Sequence, residues 1–146
     1  MRLTRSGEGF KVSKEVYEID GCEFATLQEF YEVVGRILIP GAEWGHNLDA
    51  FNDILRGGFG TPDGGFVLRW ANSAVSRERL GYPDTVRQLE RRLTRCHPTN
   101  RDLVGADLER ARHSVGPTVF DWLVEIVEVH GAGGGEEEDG VELVLT

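Results

Sequence analysis

No run of apolar residues in this sequence approaches the roughly 20 needed to cross a bilayer. Residues 1–15 are charged and lack the apolar central segment of a secretory leader, so the expected compartment is the cytoplasm. Cysteine is scarce. Cys22 and Cys96 stand far apart, outside any CxxC or secreted-framework spacing, which excludes a disulfide scaffold and predicts two reduced thiols. His46, His97, His113 and His130 are scattered without HxxxH or His-Cys spacing, so no metal site is expected. There is no GxSxG elbow, and the glycine-rich stretch 57–65 lacks the Gly-Lys-Ser/Thr of a phosphate loop. No catalytic residue and no cofactor is predicted. Basic residues are the minority, 16 against 25 acidic, and the net charge of −9 opposes the phosphate attraction that drives ordinary nucleic-acid binding. A basic protein partner suits the chain better than a nucleic acid or a membrane.

What is present reads as one domain over 1–146, with a loose N-terminus at 1–14. Val16-Tyr17-Glu18-Ile19 runs into Asp20-Gly21, a short strand ending in a turn. Thr26-Leu27-Gln28-Glu29 is a capping-box pattern, followed by Leu27, Phe30, Tyr31, Val34 and Leu38 at helical spacing. Pro40-Gly41 ends that helix, and Asn47 can cap a second one reaching Gly57 or Gly58. Five glycines and Pro62 make 57–65 an irregular loop. Phe66 to Trp70 is an apolar strand, central in a sheet. Helical patterns follow over Ser73 to Leu80, from Asp84 with Val86, Leu89, Leu93 and Cys96 as the apolar stripe, and over Arg101 to Arg112 with an interruption at Gly105. Arg87, Arg91, Arg92 and Arg95 read as a solvated surface. Thr118 to His130 is apolar except for Asp121, Glu125 and Glu128, so it should be largely buried. The glycine–glutamate run 131–140 reads as an exposed loop that cannot pack, and Val141 to Leu145 closes the chain as a strand. Three strands separated by helices predict an α/β fold with a small three-stranded parallel sheet covered by helices.

On the second helix, at about 100° per residue, Asp49, Asn52, Asp53 and Arg56 fall on one polar arc while Leu48, Ala50, Phe51, Ile54 and Leu55 lie opposite. Asp49 and Asp53 are neighbours of like charge, which mildly disfavours the helix unless Arg56 or a partner compensates. Taken alone, Asp49 could merely complement the helix dipole and Asp53 could be ordinary surface charge.

The stretch Glu43-Trp44-Gly45-His46-Asn47-Leu48-Asp49-Ala50, continued by Asp53 and Leu55, resembles the signature of the barstar family. Ile19-Asp20-Gly21, the first helix and Val67 to Trp70 resemble its opening elements, while Val119 to Glu128 and Val141 to Leu145 resemble its close. Residues 71–116 are a helical insertion relative to the shortest members. The resemblance implies a non-enzymatic immunity protein, monomeric when free, that inhibits a basic ribonuclease or related toxin protein. It implies a partner-binding surface made by Glu43, Trp44, Gly45, His46 and Asn47, by Asp49, Asn52, Asp53 and Arg56, and by an acidic residue of the last helix, here Glu125. The aspartate at position 53 would enter the enzyme's cationic site as a phosphate mimic. Glu43, Asn52 and Gly58 stand where the best-known member has aromatic contacts, so this chain lacks much of that apolar anchoring.

Other readings of the same residues stay open. Trp44 could pack over the sheet or touch a partner, Asn47 could cap a helix as well as make a contact, and Trp70 and Trp122 read as core. His46 could tune binding by titrating near neutral pH. The alternatives to an inhibitor are a binding module for a non-nuclease or toxin partner, and a hydrolase pairing Asp49 or Asp53 with His46.

Overall fold

The computed structural model describes residues 14–146; the expected loose segment 1–14 falls, up to residue 13, outside the described residues. Among them a parallel sheet has the order β1 (Val16–Asp20), β2 (Val67–Ala71), β3 (Glu142–Leu145), so the strand that sits central is the apolar one. The register pairs Ile19 with Trp70 and Trp70 with Leu145. With a side-chain period of two, Tyr17, Ile19, Leu68, Trp70 and Leu143 share one face. On the other face Glu18 and Arg69 are exposed and lie 3.7 Å apart. The helices therefore cover one face, which explains why β2 alternates instead of being apolar throughout.

The covering elements are α1 (Leu27–Leu38), α2 (Leu48–Arg56), α3 (Ser73–Arg79), α4 (Tyr82–Arg95), α5 (Arg101–Arg112) and α6 (Val119–Val129). No helix among the described residues is long and apolar enough to cross a membrane. The core is aromatic: Trp70 stacks on Phe30 at 5.5 Å between ring centroids and meets Phe120 at 5.1 Å, and Phe30 meets Phe51 of α2 edge-on at 5.3 Å. Through that chain of rings the helix carrying Asp49 and Asp53 is rooted in the middle of the protein.

Three expectations from the sequence are corrected and one is extended. The predicted apolar stripe of α4 packs at Leu89, with Val86 and Leu93 beside it, but the buried side also takes in Asp84, Thr85 and Gln88. The reason is that the first turn of α4 caps two other helices. The Asp84 carboxylate accepts the Leu27 backbone N–H at 3.1 Å, and Thr85 Oγ1 accepts that of Val119 at 2.9 Å, satisfying the orphan first amides of α1 and α6. Helix α5 runs through Gly105 without interruption, since one glycine is tolerated where the flanking turns pack. Trp122 is only half-buried, with the Arg92 guanidinium 5.2 Å from its ring centroid. The run 131–140 is a loop but is packed in places: a Cβ on Gly65, whose φ is +101°, would come within 2.0 Å of the Gly140 carbonyl oxygen. Two glycine-rich segments approach there more closely than side chains allow.

Asp84→Ala should lower the stability to urea by about 1–3 kcal/mol, because it strands the buried Leu27 N–H. A change of only a few tenths would mean that α1 does not depend on this cap.

Candidate partner-binding face

The Asn47 side chain accepts the Ala50 N–H at 2.8 Å, which starts α2, and its amide nitrogen donates to the Gly45 carbonyl at 3.3 Å. Phe51, Ile54 and Leu55 are buried, Leu48 and Ala50 partly so, while Asp49, Asp53 and Arg56 are exposed. The polar arc read from the sequence is thus a real outer face on a capped, anchored helix. Among the described residues the two aspartates form one ion pair, in which Arg56 Nη1 donates to Asp53 at 3.0 Å.

In the loop before α2, Trp44 is half-buried and lies edge-on to Tyr31 at 5.6 Å. It rests on α1 at Gly35, where a Cβ would come within 2.9 Å of the indole nitrogen. His46 takes the left-handed backbone region, with φ of +50°, and lays its ring 4.6 Å from Trp44. Its ring neighbours are aromatic, and among the described residues no ion pair joins it to Asp49 or Asp53. Burial pushes the Tyr31 phenol up to about 12, with Arg92 pulling it down and Asp49 pushing it up. Glu43 and Gly45 are exposed beside this aromatic stack.

Two predicted contacts are used internally. Asn52 is half-buried, its Oδ1 2.6 Å from Nε2 of the fully buried His130, whose Nδ1 is 2.6 Å from an Asp139 carboxylate oxygen. Arg56 turns its Nε and Nη2 onto the Glu136 carboxylate, at 2.8 and 3.1 Å. Asp53, Arg56 and Glu136 are therefore one triad, and the loop 131–140 is clamped to α2 at two points. His130, Glu136 and Asp139 bring their ligand-type atoms within 4.8 Å of one another, a grouping that scattered histidines in the sequence did not suggest. Their separations are those of a hydrogen-bond network, and Glu136 is committed to Arg56.

The clamp has an electrostatic signature. The hydrogen bond to Glu136, with its charge, holds Arg56 more firmly protonated than usual, and the same bond lowers the Glu136 pKa. A carboxylate depressed on folding contributes stability that is present above its unfolded value and is lost as pH falls through the folded one. The Arg56 Nε–H signal in NMR should therefore stay protected below about pH 4.3, where an ordinary glutamate takes up its proton, and lose that protection in Glu136→Gln at every pH. Equal behaviour of the two proteins would mean the clamp does not form.

Glu125 is exposed on α6 and borders a hollow of about 410 Å³ together with Asn52, Leu48 and Trp122. Glu125 thus lies at the flank of α2. What sequence reasoning missed are His130, Glu136 and Asp139. The available signal was Arg56, a cation in an acidic face that needs a counter-ion.

Comparison with known proteins returns one finding. Residues 14–102, more than half of the chain, match the family model described as Barstar (barnase inhibitor). The match spans β1 through α4 and enters α5, so it contains the loop 43–47 and all of α2, whereas Glu125 and the clamp residues of the loop 131–140 lie beyond it. Comparisons with curated proteins and with solved structures return no match.

Proposed function

Because the chain belongs to the barstar family, we propose that it is a stoichiometric protein inhibitor of a basic microbial ribonuclease, filling the enzyme's cationic active site with carboxylates from α2. The observation that carries this reading is that Asp49 and Asp53 are both exposed on one capped helix whose opposite side is fixed in the core. An enzyme that stabilises phosphate with Arg, Lys and His offers a pocket that a preset carboxylate can fill. Asp53 is the central group: Arg56 holds one of its oxygens, and the other has no hydrogen-bond partner among the described residues, so little side-chain freedom is lost on binding. Asp49 and Glu125 flank it and add to the field that steers a basic protein inward. Trp44, His46 and the exposed Glu43 and Gly45 form the rim on the side of α1. Asn47, Asn52 and Arg56 serve the face mainly by holding it in shape.

The test is RNA cleavage by a panel of small basic ribonucleases, including any encoded beside this gene, titrated with the protein and with Asp53→Ala. One-to-one inhibition that the variant loses is the expected result. Failure to inhibit any member of the panel would overturn the ribonuclease reading and point to a non-nuclease or toxin partner for the same face.

A further inference from the structure

Helix α4 carries the charge that a plain acidic inhibitor should not need. Gln88, Arg91, Arg92 and Arg95 recur at helical spacing and so occupy one side of the helix. Gln88 anchors that side against α1, exchanging hydrogen bonds with Gln28 at 3.0 and 3.1 Å. The three arginines beyond it line a hollow of about 620 Å³ whose other wall is made by His46, Asn47 and Asp49. The basic stripe and the proposed binding face are therefore two sides of one concavity.

All three arginines are exposed, and among the described residues none of them forms an ion pair. The other charges of α4 are spent elsewhere: Arg87 on Asp84 at 2.5 Å, Glu90 on Arg112 at 3.1 Å. Arg92 is steadied by the Trp122 ring, but Arg91 and Arg95 are like-charged neighbours four residues apart, with no ion-pair partner among the described residues to offset their repulsion. In a chain with a net charge of −9 and 25 acidic residues, free arginines gathered beside an acidic helix call for an external counter-charge.

We propose that this stripe is the second half of the docking surface: the partner that sets cationic groups against Asp49 and Asp53 also presents an acidic patch to Arg91, Arg92 and Arg95. The inference rests on the inhibitor reading above. Its physical content is register. A purely acidic face attracts any basic protein in many orientations, whereas adjacent patches of opposite sign admit one orientation and reject partners that lack the second patch. A protein surface of mixed charge fits better than a nucleic acid, because a polyanion seated on the arginines would be repelled by Asp49, which lines the same hollow.

The experiment compares two charge reversals, Arg95→Glu in the stripe and Arg101→Glu, an exposed residue at the start of α5 that also forms no ion pair among the described residues. Both make the protein more acidic by the same amount. Association with the inhibited ribonuclease is measured at low salt, with wild type and Asp53→Ala alongside. Arg95→Glu should weaken the complex by about tenfold or more while Arg101→Glu leaves it unchanged or faster-forming, because simple attraction of a basic enzyme predicts improvement for both. Binding by Arg95→Glu as tight as wild type, with Asp53→Ala still defective, overturns the stripe and leaves the inhibitor reading standing. If wild type inhibits no ribonuclease, both fall together. Binding of an RNA oligonucleotide by wild type that Arg95→Glu abolishes would give the stripe to a polyanion and likewise overturn the proposal.

Discussion

Asp53→Ala should weaken the complex with the target ribonuclease by about 2–5 kcal/mol, a loss of roughly thirty-fold to several-thousand-fold, and by more than any other single truncation on the face. The magnitude follows from what truncation leaves behind. Cationic groups of the enzyme, desolvated at the centre of the contact, would face a methyl group, and most of the loss is the cost of burying them unpaired. Asp49 and Glu125 lie toward the edge, where water screens their replacement, so each should cost less. The protein itself should tolerate the change. Asp53 has a side chain 54 % exposed, and Arg56 keeps its bidentate contact with Glu136 when Asp53 is gone. Dissociation should therefore speed up while the unfolding midpoint stays within a few tenths of a kcal/mol of wild type. Glu138→Ala is the matched control, a neighbouring acidic residue without a described partner. If it loses as much affinity as Asp53→Ala, the effect is bulk charge and Asp53 has no special place.

Much of this could be read from local pattern, because local pattern is where its causes lie. The caps at Thr26 and Asn47 depend on residues three positions away, and both form. The polar arc of α2 follows from helical period, as does the burial of Phe51, Ile54 and Leu55. The apolar run ending in Trp70 identified the central strand within a residue. What escaped depends on pairings across the chain. Asp84 lies 57 positions from the Leu27 amide it caps, so nothing near it distinguishes a buried carboxylate from a surface one. Composition alone made 131–140 unable to pack, since glycine and glutamate bury little apolar surface. Specific partners 80 and 78 positions away, Arg56 for Glu136 and Asn52 for His130, fold it back onto α2. The arginines of α4 are exposed, as their spacing implied, but the hollow they share with His46 and Asp49 depends on the packing of distant segments and was not visible.

Trp70→Ala should destabilise the protein by about 3–5 kcal/mol in urea unfolding. The indole is fully buried at the centre of β2, stacked on Phe30 and in contact with Phe24 and Phe120. Its removal leaves a cavity bounded by rings that cannot collapse without moving α1 and α6. It also removes the N–H that donates to the buried Ser76 hydroxyl at 2.9 Å, stranding a polar atom with no water to replace the bond. Trp70→Phe separates the two losses, since it keeps most of the ring contact and gives up only the hydrogen bond. It should cost less than half as much. Against the roughly 5–15 kcal/mol that holds an ordinary domain together, the alanine variant remains partly or wholly folded at low temperature, and that decides what it does to function. Trp70 reaches α2 through the rings of Phe30 and Phe51, and its indole hydrogen bond goes to Ser76, not to either aspartate or the Arg56–Glu136 clamp. Inhibition per folded molecule should therefore match wild type while the folded fraction falls, the reverse of Asp53→Ala. A loss of affinity in the folded fraction would mean that the ring stack sets the angle of α2 finely enough for one core substitution to misplace Asp53.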